Sequence, residues 1–238
     1  MKIPVYLIKC SNPTVSAKTN RVALAAYNKF HLMEDLFEGG RKLPLVEDFY
    51  TIQGEGYHTG KAAYFIRLGG CDIGCSWCDA KFTWNRHLHP LVITDEIVRR
   101  ALEYPARSVV VTGGEPSAYP LEYLCSRLID NGVETFVETS GAYPLTGRWS
   151  WICLSPKRNS PPLDDIYPRA DELKVIIYDS DDLAWAEENA ARVGKSCLLY
   201  LQPEWSRYEK NISGIVEYVK TNPLWHISLQ AHKFMHIP

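Results

Sequence analysis

From Leu43 onward the chain alternates short β-rich runs with helical stretches, and this alternation is what most limits the folds open to it. The runs are VEDFYTIQ, AAYFIRLG, SVVVTG, ETFVETS, WICLS, ELKVIIY, CLLYLQ and WHISLQ. Between them, TDEIVRRALEY opens on Thr94 as the expected N-cap and PLEYLCSRLIDNG ends in Asn–Gly. DSDDLAWAEENAARVG starts acidic and ends with Arg and Gly, which suits the helix dipole, and EKNISGIVEYVKTNP stops at a proline. Strands alternating with helices predict an α/β fold with a mainly parallel sheet, and runs that are apolar throughout predict strands covered on both faces. The helices are fewer than the strands, so a complete eightfold barrel is not expected. Upstream, VALAAYNKFHLMEDLFEGG spaces its apolar residues as a helix does and stops at Gly39–Gly40. Residues 1–42 therefore read as a helical N-terminal extension and residues 43–238 as the main domain.

In parallel sheets the working residues collect in the loops at the carboxyl ends of the strands. Those loops here read QGEG, GGCDIGC, TGGEP, ETSG, SPK, QP and QAHK. So many polar strand ends predict one shared cleft. Composition adds exclusions. With 46% hydrophobic and 23% charged residues the chain is an ordinary globular protein. A net charge of -2 gives no electrostatic footprint for nucleic acid or an acidic membrane surface. No apolar run approaches the ~18 residues needed to cross a bilayer, and the apolar patch in MKIPVYLIKC is shorter than a signal-peptide core. A cytoplasmic protein is expected. The cysteine count of seven is odd and does not describe a disulfide framework. Cys10, Cys125, Cys153 and Cys197 stand apart in apolar surroundings and read as buried, inert residues.

The other three cysteines crowd into CDIGCSWCDAKFTW, residues 71–84. Cys71, Cys75 and Cys78 leave a tetrahedral metal one ligand short. Zinc could take His87 or His89 as the fourth ligand, but structural zinc usually staples a small loop-rich module and usually uses two spaced pairs. The other reading is a 4Fe–4S cube held by three thiolates, with one iron open to a small molecule. Downstream, the apolar strand VVV runs into Thr112-Gly113-Gly114-Glu115-Pro116. Two glycines let a ligand approach the backbone closely, and Glu115 with nearby backbone groups can receive an ammonium group.

C-x3-C-x2-C followed by a strand ending in GGE resembles the radical S-adenosylmethionine superfamily. FYTIQGEGYHTG, FIRLGGCDIGCSWCD, VVVTGGEP, ETSG, SPK, ELK, LQP and LQAHK, in that order, resemble its 7-carboxy-7-deazaguanine synthase family over roughly residues 43–238. The resemblance implies an incomplete, modified TIM-like barrel, commonly a homodimer, with a 4Fe–4S cluster and S-adenosylmethionine as cofactors. It implies conversion of 6-carboxy-5,6,7,8-tetrahydropterin to 7-carboxy-7-deazaguanine with loss of ammonia, in queuosine and 7-deazapurine biosynthesis. An electron donor such as flavodoxin or ferredoxin is the implied protein partner. By resemblance the pterin lies against Ile52, Gln53 and Gly54, with Arg67 on its carboxylate and Thr112 on the ring. Gln230, His232 and the terminal Pro238 close that pocket. S-adenosylmethionine is held by Trp77, Cys78, Asp79, Gly114, Glu115, Ser155, Pro156 and Lys157, with Glu138 and Gln202 on the same rim. One position departs from the pattern: the family's Thr or Ser after Cys-Asp, which helps bind Mg2+, is Ala80 here. Its side chain cannot coordinate, so any Mg2+ would rest on substrate, water and Asp79 or Thr83. Two rival functions stay open at this point, a glycyl-radical activase of the same superfamily and a zinc-stabilised binding protein without catalysis.

Overall fold

The computed structural model describes residues 17–238; Cys10 lies outside the described residues. In chain order the elements are α1 (Ala17–Leu36), β1 (Lys42–Ile52), β2 (Ala62–Leu68), β3 (Leu91–Ile93), α2 (Thr94–Leu102), β4 (Ser108–Gly113) and α3 (Glu122–Asp130). They continue with β5 (Glu134–Thr139), β6 (Trp151–Leu154), β7 (Glu172–Ile177), α4 (Asp181–Ala190), β8 (Leu198–Pro203), α5 (Tyr208–Thr221), β9 (Trp225–Ile227) and α6 (Ala231–Met235). The strands form one nine-stranded sheet in the order β3-β1-β2-β4-β5-β6-β7-β8-β9. β1 runs antiparallel to both β2 and β3, and every neighbouring pair from β2 through β4 to β9 is parallel. The sheet is open at β3 and β9, as an incomplete TIM-like barrel requires. The β5–β6 and β6–β7 connections carry no α-helix, which is why the helices are outnumbered.

The two-residue period of the strands decides which side chains go where. Tyr64, Ile66, Val109 and Val111 face a large core shared with α1, α2 and α3. Ala63, Phe65, Val110 and Phe136 form a smaller cluster with Phe49 on the other face. Leu124 and Leu128 of α3 are fully buried, each removing a side chain from water at a gain of about 1.5–3 kcal/mol. Met33 in the last turn of α1 and Phe37 just beyond it belong to the same large core. Cys125, Cys153 and Cys197 are buried, as their apolar surroundings predict.

Several boundaries differ from the expectation. β3 has no counterpart among the expected strands because it is only three residues long and pairs only with the start of β1. β1 begins at Lys42, ahead of VEDFYTIQ. Thr94 is the first residue of α2 and not its N-cap; its hydroxyl donates to Gly40 O at 2.6 Å, tying the helix to the turn after α1. β9 ends at Ile227, and the chain from Ser228 to Gln230 leaves the sheet.

Candidate active site

The carboxyl ends of the strands open into a cleft of about 400 Å³. Its polar lining follows from strand periodicity. Arg67 and Thr112, paired across β2 and β4, stand two residues beyond Phe65 and Val110. Glu138 stands two beyond Phe136, Ser155 two beyond Cys153, and Gln202 two beyond Tyr200. The inward row of each strand is thus apolar low in the sheet and polar at its end.

Cys71, Cys75 and Cys78 sit on the rim, all half-buried and all facing this cleft. Burial pushes the Cys71 thiol up to about 12 and raises that of Cys75. Without a metal the Cys71 and Cys75 thiols stay protonated at neutral pH, and metal binding must displace those protons. Among the described residues no three His, Cys, Asp or Glu side chains converge as they would on a single ion. A cube makes a different demand, since each thiolate binds a separate iron. His87 and His89 do not line the cleft; His89 Nε2 lies 3.1 Å from Phe82 O. Soft thiolates on a cleft wall fit the cluster better than they fit structural zinc.

The TGGEP loop lies directly behind. A side chain at Gly114 would meet Gly70 O at 2.2 Å and Cys71 Cβ at 3.2 Å, so only glycine lets the two loops touch. Gly114 N donates to Leu68 O at 2.8 Å and Glu115 N to Gly70 O at 2.9 Å. The Glu115 carboxylate, almost fully buried, accepts from Ser117 N at 2.9 Å, Ser117 Oγ at 2.7 Å, Ser140 N at 2.8 Å and the Thr139 hydroxyl. It welds the TGGEP loop to ETSG. Across the cleft Lys157 Nζ donates to Ser155 O and Oγ, both at 2.6 Å, and lies 5.8 Å over the Trp77 ring. Burial lowers its pKa.

The floor is ionic. Lys174, 3% exposed, pairs with Glu55 and with Glu138 Oε2 at 3.2 Å. Burial opposes its charge, but the two carboxylates outweigh burial and raise its pKa well above the usual lysine value. Burial likewise opposes Glu55, and Lys174 overcomes it to hold that carboxyl below the usual range. Gln53 Nε2 donates to Glu138 Oε1 at 2.9 Å, and Gln230 Nε2 donates to Glu55 Oε1 at 3.0 Å and to Asp79 Oδ2 at 3.3 Å. Lys233 Nζ donates to the same Asp79 oxygen at 2.8 Å. α6 docks where Ala231 N donates to Gly54 O at 2.8 Å, and a side chain at Gly54 would strike His232 Nδ1 at 2.4 Å. Arg67 Nε donates to Glu47 Oε1 at 2.7 Å, with its guanidinium 5.9 Å from the centre of Phe49.

Residues 65–149 match the Radical SAM superfamily. The chain is 56% identical to 7-carboxy-7-deazaguanine synthase of Flavobacterium psychrophilum, over 84% of this chain and 95% of that one. It is 46% identical to 7-carboxy-7-deazaguanine synthase of Synechocystis sp., over 81% of this chain and 92% of that protein. It belongs to the 7-carboxy-7-deazaguanine synthase family. The crystal structure of QueE from Escherichia coli superposes with a TM-score of 0.72 at 31% identity, covering 84% of this chain and 98% of that one.

Of the residues singled out from the sequence for this family's site, Ile52, Gln53, Gly54, Arg67, Thr112, Glu138, Gln202, Gln230, His232 and Pro238 border the cleft. So do Trp77, Asp79, Ala80, Gly114, Glu115, Ser155 and Lys157 with the three cysteines. Pro156 is buried and does not line it. Sequence reasoning missed Glu55, Lys174 and Lys233. A lysine inside the apolar run ELKVII was the available signal, because a strand covered on both faces admits a charge only beside a partner.

Proposed function

We infer that the protein is a radical S-adenosylmethionine lyase of queuosine and 7-deazapurine biosynthesis, converting 6-carboxy-5,6,7,8-tetrahydropterin to 7-carboxy-7-deazaguanine with loss of ammonia. One observation carries this reading: the three-cysteine loop, the TGGEP loop and the polar row from Gln53 to Arg67 line a single cleft. Cys71, Cys75 and Cys78 would hold a 4Fe–4S cluster, which with S-adenosylmethionine supplies the one-electron radical chemistry that the side chains present cannot. The protein's own work is positioning, fixing charge and excluding water.

Gly114 lets the TGGEP loop pack against the start of the cysteine loop, and Glu115, locked by its four hydrogen bonds, fixes the backbone against which the cofactor's methionine end would lie. Trp77, Asp79, Ser155 and Lys157 line the cleft where the rest of the cofactor would lie, with buried Pro156 between the last two. Arg67 meets Glu47 through Nε, which leaves its terminal nitrogens for the substrate carboxylate, a pairing suited to a planar guanidinium. Gln53 is held by Glu138 through Nε2 and accepts from Glu55 N at 3.1 Å, so its amide is set in one orientation against the pterin edge beside Ile52, Gly54 and Thr112. His232 on α6 and Pro238 beyond it close the pocket, limiting water.

Magnesium does not fit this loop. Ala80 offers no side-chain oxygen, one Asp79 oxygen is engaged by Lys233 and Gln230, and buried Thr83 donates its hydroxyl to Ala80 O at 2.8 Å. Mg2+ demands oxygen ligands in near-octahedral array. Turnover is therefore expected to be the same with and without added Mg2+ in metal-stripped buffer, measured as initial rate. An absolute requirement for Mg2+ would contradict this.

The wider setting is also proposed: a domain at 43–238 with an extension at 1–42, a homodimer, and a cytoplasmic location with flavodoxin or ferredoxin as reductant. Exposed Leu91 and Ile93 on the edge strand β3 support an interface between copies, and no described helix is long and apolar enough to cross a membrane. The reading is tested by incubating the reconstituted, reduced protein with S-adenosylmethionine and the pterin. Mass spectrometry should show 7-carboxy-7-deazaguanine; its absence with the cluster intact sinks the assignment.

A further inference from the structure

The segment between the first two cysteines is held by side chains. Among the described residues, the backbone amides from Asp72 to Trp77 donate to no other backbone group. Ile73 is buried in the large core, and Asn159 Nδ2, from the loop after β6, donates to Gly74 O at 3.0 Å and reaches Ile73 O at 3.4 Å. The remaining hold is on Asp72. Tyr143 OH donates to the Asp72 carboxylate, whose oxygens lie at 2.7 and 2.6 Å, and Lys29 Nζ of α1 donates to Asp72 Oδ2 and to Tyr143 OH, the latter at 2.9 Å. A hydroxyl has one hydrogen and two lone pairs, so Tyr143 can serve as acceptor for the lysine and donor to the carboxylate at once.

Both partners of Asp72 come from segments anchored in the core. Tyr143 is 7% exposed. Lys29 adjoins Phe30, which is buried, on a helix anchored further along by Met33 and, just past its end, by Phe37. α1 is also tied by Tyr27 OH donating to Asp165 Oδ2 at 3.2 Å. All of α1 lies N-terminal to every motif that carries the family resemblance, the first of which begins at Phe49.

We propose that α1 clamps the cluster loop, with Lys29 and Tyr143 as positioning residues that hold Asp72 and so fix Cys71 and Cys75 for cluster binding. This rests on the iron–sulfur reading of the three cysteines. Lys29 and Asp72 are each about half exposed, at 41% and 53%, and an exposed ion pair alone stabilises a fold by about 0–1 kcal/mol. The clamp therefore acts on the order of one loop that has no backbone ladder, and global stability changes little.

The test uses the full-length reconstituted protein and two readouts, the rate of iron release to a chelator and the electron paramagnetic resonance spectrum of the reduced cluster. Lys29→Met and Tyr143→Phe each remove one hydrogen-bonding partner worth ~0.5–1.5 kcal/mol, so iron release should quicken roughly 2- to 12-fold with a broadened spectrum. Lys29→Arg keeps a charged donor and should stay near wild type. Leu32→Ala, on an exposed position of the same helix, should change neither readout. Wild-type behaviour in both Lys29→Met and Tyr143→Phe overturns the clamp, as does an equal effect from Leu32→Ala. A wild-type protein that takes up no iron would instead defeat the reading on which the clamp rests.

Discussion

Cys75→Ala is expected to abolish formation of 7-carboxy-7-deazaguanine while leaving the fold in place. The residue lies on a half-buried rim loop at the edge of the large core, where losing one partly exposed thiol removes little packing. Each thiolate holds a different iron, and no described side chain stands ready to replace one. Iron content and visible absorption should fall with activity, while urea unfolding shifts by less than about 1 kcal/mol. Cys125→Ala provides the contrast. That residue is fully buried among Leu121, Leu124 and Leu128, so the change should lower stability and leave iron content alone. A Cys75→Ala protein that retains iron and turnover would refute the cluster assignment.

Lys174→Met should be the most destabilising single change at the site. It removes the only cation paired with Glu55 and Glu138 among the described residues, leaving carboxylates whose side chains are 14% and 23% exposed. Removing one partner of a buried pair costs about 3–5 kcal/mol. The pH dependence carries a sign. Glu55 is held below its ordinary value of 4.5 in the folded state, so its contribution is fully present above that pH and is lost as pH falls through the depressed folded value. Lys174 supplies the depression, so denaturant unfolding of Lys174→Met from pH 7 down to pH 3 should show a flatter acid limb than wild type. Wild-type stability at neutral pH in the variant would show that the floor network carries little weight. The same variant should weaken pterin binding, because Gln53 leans on Glu138.

How far the sequence revealed this depended on how local each signal was. Cys71, Cys75 and Cys78 announce themselves by spacing within one loop, and Gly113–Gly114 by following an apolar strand. The cleft was legible because parallel strands place their carboxyl ends on one side. The Lys174 network was not. It joins residues 119 positions apart, Glu55 in the loop after β1 and Lys174 in β7, strands that are not neighbours in the sheet. Glu115 reads as a ligand group from its motif, yet in the fold its carboxylate is saturated by Ser117, Thr139 and Ser140. Asp72 looks like a spacer between cysteines, and its partners Lys29 and Tyr143 lie in distant segments whose own patterns say only helix and loop. Thr94 misleads because a threonine at a helix start resembles an N-cap, while its hydroxyl serves the turn after α1.

The central claim is that the loop stops at three cysteines because its fourth ligand is a small molecule. The most direct measurement is electron paramagnetic resonance of the anaerobically purified, reduced protein before and after addition of S-adenosylmethionine, alongside iron, sulfide and zinc analysis. About four irons per chain, with a spectrum that shifts on adding S-adenosylmethionine, are expected of a cube with one open iron. One zinc per chain with no iron, or a cluster spectrum indifferent to S-adenosylmethionine, would contradict it.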